Sequence, residues 1–126
     1  PIIIGVFGKD PFQGELESIV KNKTINGHPL AVRKINRLPN LKQCRIVFIS
    51  ASEAGHLTAI FREISGAPIL TVGDRNGFIR AGGMIQFVTE QNEIRFEIND
   101  EAARRTGLKI SSKLLMLSIR LKQNDG

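Results

Sequence analysis

Tryptophan and tyrosine are absent from these 126 residues, and there are only one cysteine and two histidines. Each shortage excludes something. Without Trp or Tyr, and with most of the seven Phe at positions a core would use, a base-stacking surface is hard to assemble, so nucleic acid is not an expected partner. A single cysteine, Cys44, cannot close an intrachain disulfide. His28 and His56 have neither an i, i+4 partner nor a nearby Cys, so the spacing of a zinc site is missing and no metal or other cofactor is expected. No apolar run approaches the roughly 20 residues of a membrane span. No signal-peptide pattern stands at the start of the given residues either.

What is present is ordinary globular material, 41% apolar and 24% charged, at a length that suits one domain. Eighteen Lys and Arg against twelve Asp and Glu give a net charge of +6, which reads as a diffuse soluble surface rather than a block. Strand and helix signals alternate. Ile2–Phe7 reads as a strand, and Asp10-Pro11 with Gln13 as the start of a helix whose stripe is Phe12, Leu16, Ile19 and Val20. Asn26-Gly27 is a turn, Leu30–Ile35 a second strand, and Arg45–Ile49 a third with both faces apolar. Ser50-Ala51-Ser52-Glu53 has the form of a capping box for a helix with Leu57, Ile60, Phe61 and Ile64, ending near Gly66.

Pro68–Val72 follows as a strand, and Met84–Thr89 with Glu93–Asn99 as a hairpin. In its second arm alternation turns Ile94, Phe96 and Ile98 one way and Arg95, Glu97 and Asn99 the other. A short helix to about Gly107 and a segment Ile110–Leu121, of helical length but ambiguous period, close the chain. The expected fold is therefore α/β, a mixed sheet of about six strands with helices on its faces.

Chemistry-bearing constellations are few. Ser50 and Ser52 sit at a strand-to-helix junction, but without the glycines of a nucleophile elbow they read as caps. The loop Gly8-Lys9-Asp10 could hold an anion on backbone amides, with Lys9 as its cationic support, although it lacks the Walker pattern. Cys44, at a strand entrance, is either a small buried residue or a thiol for a bridge to a second molecule or to a segment outside the given residues, which leaves a homodimer open. Gly82-Gly83 implies a bulge or a close backbone approach. The residues Arg95, Glu97, Asn99, Arg104 and Arg105 are either a solvated face or the polar rim of a docking surface around the Met84–Val88 strand.

Five segments occur in an order that resembles the YfiR family: Gly5-Val6-Phe7-Gly8-Lys9-Asp10-Pro11-Phe12, Cys44-Arg45-Ile46-Val47-Phe48-Ile49-Ser50, Pro68-Ile69-Leu70-Thr71-Val72, Gly82-Gly83-Met84-Ile85 and Arg95-Phe96-Glu97-Ile98-Asn99. The stretch Ala102–Ser112 is the most specific part of the likeness. The resemblance spans nearly the whole chain and implies one domain over residues 1–126, preceded in the full gene by a signal peptide and a first helix. It further implies a periplasmic protein without catalytic activity. Such a protein binds the periplasmic sensor region of an inner-membrane diguanylate cyclase, represses it, and lowers cyclic di-GMP and biofilm formation.

By the same resemblance the partner surface falls on Ile85, Glu97 and Ala103, Arg104 and Arg105, with Asn99 beside them on the rim. Redox-responsive members carry a disulfide near the Gly-Gly-Met strand. Here Phe78, Ile79, Ile85 and Gln86 surround that motif, and Cys44 matches a family cysteine with no partner in the chain. Similar domains are also fused to histidine kinases, so the alternative is a small-ligand sensor with an anion near Lys9 or Arg105.

Overall fold

The computed structural model describes residues 1–10, 14–90, 93–99 and 101. In order, the elements are β1 (Ile2–Phe7), α1 (Glu15–Val20), β2 (Thr24–Ile25), β3 (His28–Ile35), a 3-10 helix Leu38–Gln43, β4 (Ile46–Ile49), a second 3-10 helix Ala51–His56 running into α2 (Leu57–Glu63), β5 (Leu70–Gly73), β6 (Ile85–Glu90) and β7 (Glu93–Ile98). They build one seven-stranded sheet in the order β2-β3-β1-β4-β5-β6-β7. The β3, β1, β4, β5 and β6 strands run parallel, and among the described residues β2 and β7 are the outermost strands, each paired antiparallel. The mixed α/β sheet expected from the sequence is present. The strand beyond the expected six is β2, which pairs two residues with β3 across the Asn26-Gly27 turn.

Alternation along the central strands explains why both faces are apolar. Ile4, Val6, Phe48, Leu70 and Val72 point to one side, where Leu16 and Val20 of α1 cover them. Phe7, Val47 and Ile49 point to the other, against Ile60 of α2, Ile64 just beyond it and Leu41 of the first 3-10 helix. Parallel strands covered by helices on both faces need such near-continuous apolar runs. At about 25 cal/mol per Å² of apolar surface removed from water, these two layers supply the main stabilisation.

Several boundaries differ from the sequence reading. The described part of α1 starts after Gly14, which sits at φ 85° with no side-chain cap, so Asp10 does not immediately precede it; Pro11, Phe12 and Gln13 lie outside the described residues. Ser50 caps as expected, its Oγ accepting from the Ser52 N–H at 3.3 Å. The second half of the box is not made: Glu53 Oε2 lies 2.6 Å from His56 Nδ1, while the Glu53 N–H donates to the Ser50 carbonyl at 2.9 Å. Ile98, which alternation sets on the apolar side of its strand with Ile94 and Phe96, is 37% exposed at the end of β7. The readings for Ala102–Gly107 and Ile110–Leu121 lie outside the described residues.

Candidate docking cleft at the β6–β7 end of the sheet

The chain passes from β1 to β3 on one side and returns to β4 on the other, so the β1–β4 carboxyl ends form the point where strand order reverses. Open α/β sheets usually bind ligands there. In this chain the position is packed shut. Gly8, at φ 95°, lies so close to Glu53, Ser52 and Ser50 that a Cβ on it would meet their atoms at 2.6, 2.8 and 3.1 Å. The Lys9 N–H donates to Ser52 Oγ at 3.0 Å, and Ser52 Oγ in turn bonds Ser50 Oγ at 3.2 Å. One of the loop amides on which the anion reading relied, that of Lys9, is therefore engaged within the chain, while the Lys9 side chain is exposed. The same bonds engage both serine hydroxyls in closing the junction.

An open site lies further along the sheet. The eleven-residue connection from β5 to β6 is wound around one side chain, Phe78, which is 2% exposed. Its ring is pressed between two glycines. A Cβ on Gly83 would sit 2.2 Å from the ring, and one on Gly73 would sit 2.8 Å from it. The Phe61 ring of α2 closes a third side at 5.8 Å between centroids. The close approach expected at Gly82-Gly83 is thus real at Gly83, and its cause is Phe78.

Backbone bonds Phe78 N to Arg75 O, Ala81 N to Gly77 O and Gly83 N to Phe78 O knit the connection at 2.9–3.1 Å. Two buried polar side chains fasten it to the sheet. Thr71 Oγ1 accepts from the Met84 N–H at 3.0 Å, and Gln86 Oε1 accepts from the Ile79 N–H at 3.2 Å. Each satisfies a backbone donor that would otherwise cost about 1–3 kcal/mol to bury.

Between this fastened connection and β7 lies a cleft of about 510 Å³ lined by Asn76, Gly77, Ile79, Arg80, Gln86 and Glu97. Gln86 and Glu97 are directly opposite one another in the β6–β7 ladder, which puts both side chains on the same face. Gln86 is 4% exposed and forms the floor, while Glu97, Arg80 and Asn76 are exposed at the rim. Arg80 and Glu97 carry opposite charge in one cleft, and no ion pair joins them. A rim of unspent charge around a polar floor can take a partner's charged side chains, and it holds no nucleophile paired with a base.

The expected surface residues fare differently. Glu97 is on the cleft, and Asn99 is half-buried just beyond β7, its N–H donating to the Met84 carbonyl at 2.7 Å. Ile85 is 1% exposed, packed with Ile4, Val6 and Val72 on the opposite face. The expected docking surface around this strand is corrected at two positions: Met84 and Ile85 are core, so Ile85 offers a partner no side-chain surface. Ala103, Arg104 and Arg105 lie outside the described residues.

Cys44 is buried, with its Sγ 2.6 Å from where a Cβ on Gly5 would stand, and burial pushes its thiol above the usual range despite the nearby Arg33 guanidinium. Among the described residues no cluster of three His, Cys, Asp or Glu could hold a metal, and no helix is long and apolar enough to cross a membrane. Sequence reasoning missed Asn76, Ile79, Arg80 and Gln86. The available signal was Gln86 itself, a lone amide inside an apolar strand. A model of YfiR/HmsC-like proteins matches residues 1–119, and the chain belongs to the YfiR/HmsC-like family.

Proposed function

We propose that this chain is a non-enzymatic periplasmic repressor that holds the periplasmic sensor region of an inner-membrane diguanylate cyclase in an inactive state. The observation that carries the reading is the family match over residues 1–119, since the family is periplasmic in general and made of regulators of diguanylate cyclases rather than enzymes. The cleft supports it with a fixed place for contact, a rigid connection clamped by Phe78 facing Glu97 on β7. Repression needs no chemistry in the chain. Binding one conformation of the partner more tightly than the other shifts the population by the difference in affinity. The result is a lowered cyclic di-GMP level and less biofilm.

Asn99, Ala103, Arg104 and Arg105 extend the proposed contact beyond Glu97 along the chain. Affinity capture from solubilised inner membrane, followed by mass spectrometry, tests the reading. A co-eluting membrane diguanylate cyclase supports it, and reproducible capture without any cyclase counts against it. A second reading draws on the cleft's size: 510 Å³ falls within the range of small-ligand sites, which suits an extracytoplasmic sensor module coupled to a histidine kinase. A gene fusion to a kinase and a thermal shift with a small polar ligand would favour it.

A further inference from the structure

The basic surplus of this chain is concentrated in one stretch. Between Glu17 and Glu53 there is no acidic residue at all, while Lys21, Lys23, Arg33, Lys34, Arg37, Lys42 and Arg45 all fall there. Every one of these side chains is exposed. Among the described residues only Lys42 has an acidic partner, Glu63 at 3.9 Å. The fold gathers five of these cations, Lys21, Lys23, Arg33, Lys34 and Arg37, at the β2–β3 edge of the sheet, while Lys42 reaches Glu63 of α2 and Arg45 leads into the central strand β4. Arg33 and Lys34 are successive residues of β3 and so point to opposite faces. Lys21 and Lys23 follow α1 on one face, and Arg37 precedes the 3-10 helix on the other. One edge of the molecule is thus cationic on both faces, far from the cleft that carries Glu97.

We infer that this edge rests on an anionic phospholipid surface. The choice of occupant follows from charge complementarity and from the proposed function, on which it rests. A repressor of a membrane-anchored protein works within reach of the bilayer, and lipid phosphate is the polyanion found there. Each Lys or Arg held near an anionic bilayer contributes roughly fivefold in partition. With the β3 edge against the headgroups, β7 stands five strands away, or roughly 24 Å at the usual strand spacing of about 4.8 Å. The edge then orients the Glu97 cleft away from the lipid, toward a partner region standing above the membrane.

The test is co-sedimentation of the purified chain with phosphatidylcholine vesicles, with and without one-third phosphatidylglycerol. Binding to the anionic vesicles alone, weakened by added salt, is expected. Replacing Arg33 and Lys34 by Gln should lower the partition about thirtyfold, and so should Lys21→Gln with Lys23→Gln. Arg62→Gln with Arg75→Gln removes the same net charge from exposed positions outside the stretch and should change it less than threefold. Equal binding to neutral vesicles, or an equal loss in the control pair, overturns the inference. So does tighter binding of duplex DNA than of vesicles at matched phosphate, which would make the edge a nucleic-acid surface. No cyclase enters this assay, so its failure leaves the repressor reading untouched, and failure to capture a cyclase leaves vesicle binding measurable.

Discussion

Gly83→Ala is the sharpest probe of how the cleft is built. The added Cβ would stand 2.2, 2.3 and 2.7 Å from three atoms of the Phe78 ring, where carbon atoms normally rest about 3.5–4.0 Å apart. The ring would have to retreat by more than about 1 Å. It has nowhere to go, because the same ring lies 2.8 Å from where a Cβ on Gly73 would be and against Phe61. Overpacking of this kind costs about 1–3 kcal/mol, and the blocked retreat places this case at the top of that range. For a chain of 126 residues about 3 kcal/mol corresponds to a fall in Tm of roughly 10 °C.

The assay is urea unfolding in a double-mutant cycle. Phe78→Leu alone should destabilise, but adding it to Gly83→Ala should recover about 1 kcal/mol or more, since the two changes share one contact. Gly55→Ala, where an added Cβ meets nothing within 4 Å, should stay within about 0.5 kcal/mol. Strict additivity of Gly83→Ala and Phe78→Leu, or a wild-type midpoint for Gly83→Ala, would refute the claim that Phe78 is the post around which the connection winds.

Two further outcomes follow from the same structure. Ser52→Ala removes the acceptor of the Lys9 N–H and one partner of Ser50 Oγ, and should cost about 1 kcal/mol in unfolding measurements. Cys44 should react with a thiol reagent slowly in the native state and fully in guanidinium, because burial disfavours its thiolate. Since its folded pKa is raised, it contributes stability that is present below the ordinary thiol pKa of about 8.5 and is lost as pH rises through the folded one. Cys44→Ser, which buries a hydroxyl instead, should remove that alkaline decline at a cost of about 1–3 kcal/mol at neutral pH. Denaturation curves between pH 7 and pH 10 check both statements.

The alternation of sheet and helix was legible because the local signals are strong: Arg45–Ile49 could only be a strand covered on both faces, and Leu57, Ile60, Phe61 and Ile64 only one stripe of a helix. Glu97 was legible as exposed because charged and amide residues alternate there with Ile94, Phe96 and Ile98, and a face of that composition is the one left to solvent. Ile85 was placed on the partner surface by the family resemblance, and alternation could not correct it, because alternation says which residues share a face and not which face is covered. The structure puts Ile85 with α1 and Gln86 with the cleft. Arg80 and Asn76 were not legible at all, because their position depends on Phe78 meeting two glycines ten residues apart in the chain, Gly73 and Gly83. Nothing in a local window announces such a contact. The basic edge was read as diffuse for a related reason. Its cations are spread along the chain, and only the β2–β3 hairpin with the turns that flank it brings Lys21, Lys23, Arg33, Lys34 and Arg37 to one rim.

The measurement that bears most directly on the proposed repressor is the affinity of wild type and Glu97→Lys for the purified periplasmic region of the captured cyclase, with a substitution at the exposed Glu17 of α1, Glu17→Lys, as the control of equal charge change. Glu97 is exposed and outside the core, so thermal unfolding of all three proteins should agree within about 0.5 kcal/mol. Loss of one interfacial charge pair costs about 2 kcal/mol or more, so Glu97→Lys should weaken binding more than tenfold, and Glu17→Lys should bind as wild type does. In cells the same substitution should raise cyclic di-GMP and surface attachment. Wild-type affinity for a well-folded Glu97→Lys protein would contradict the assignment of the cleft as the contact surface.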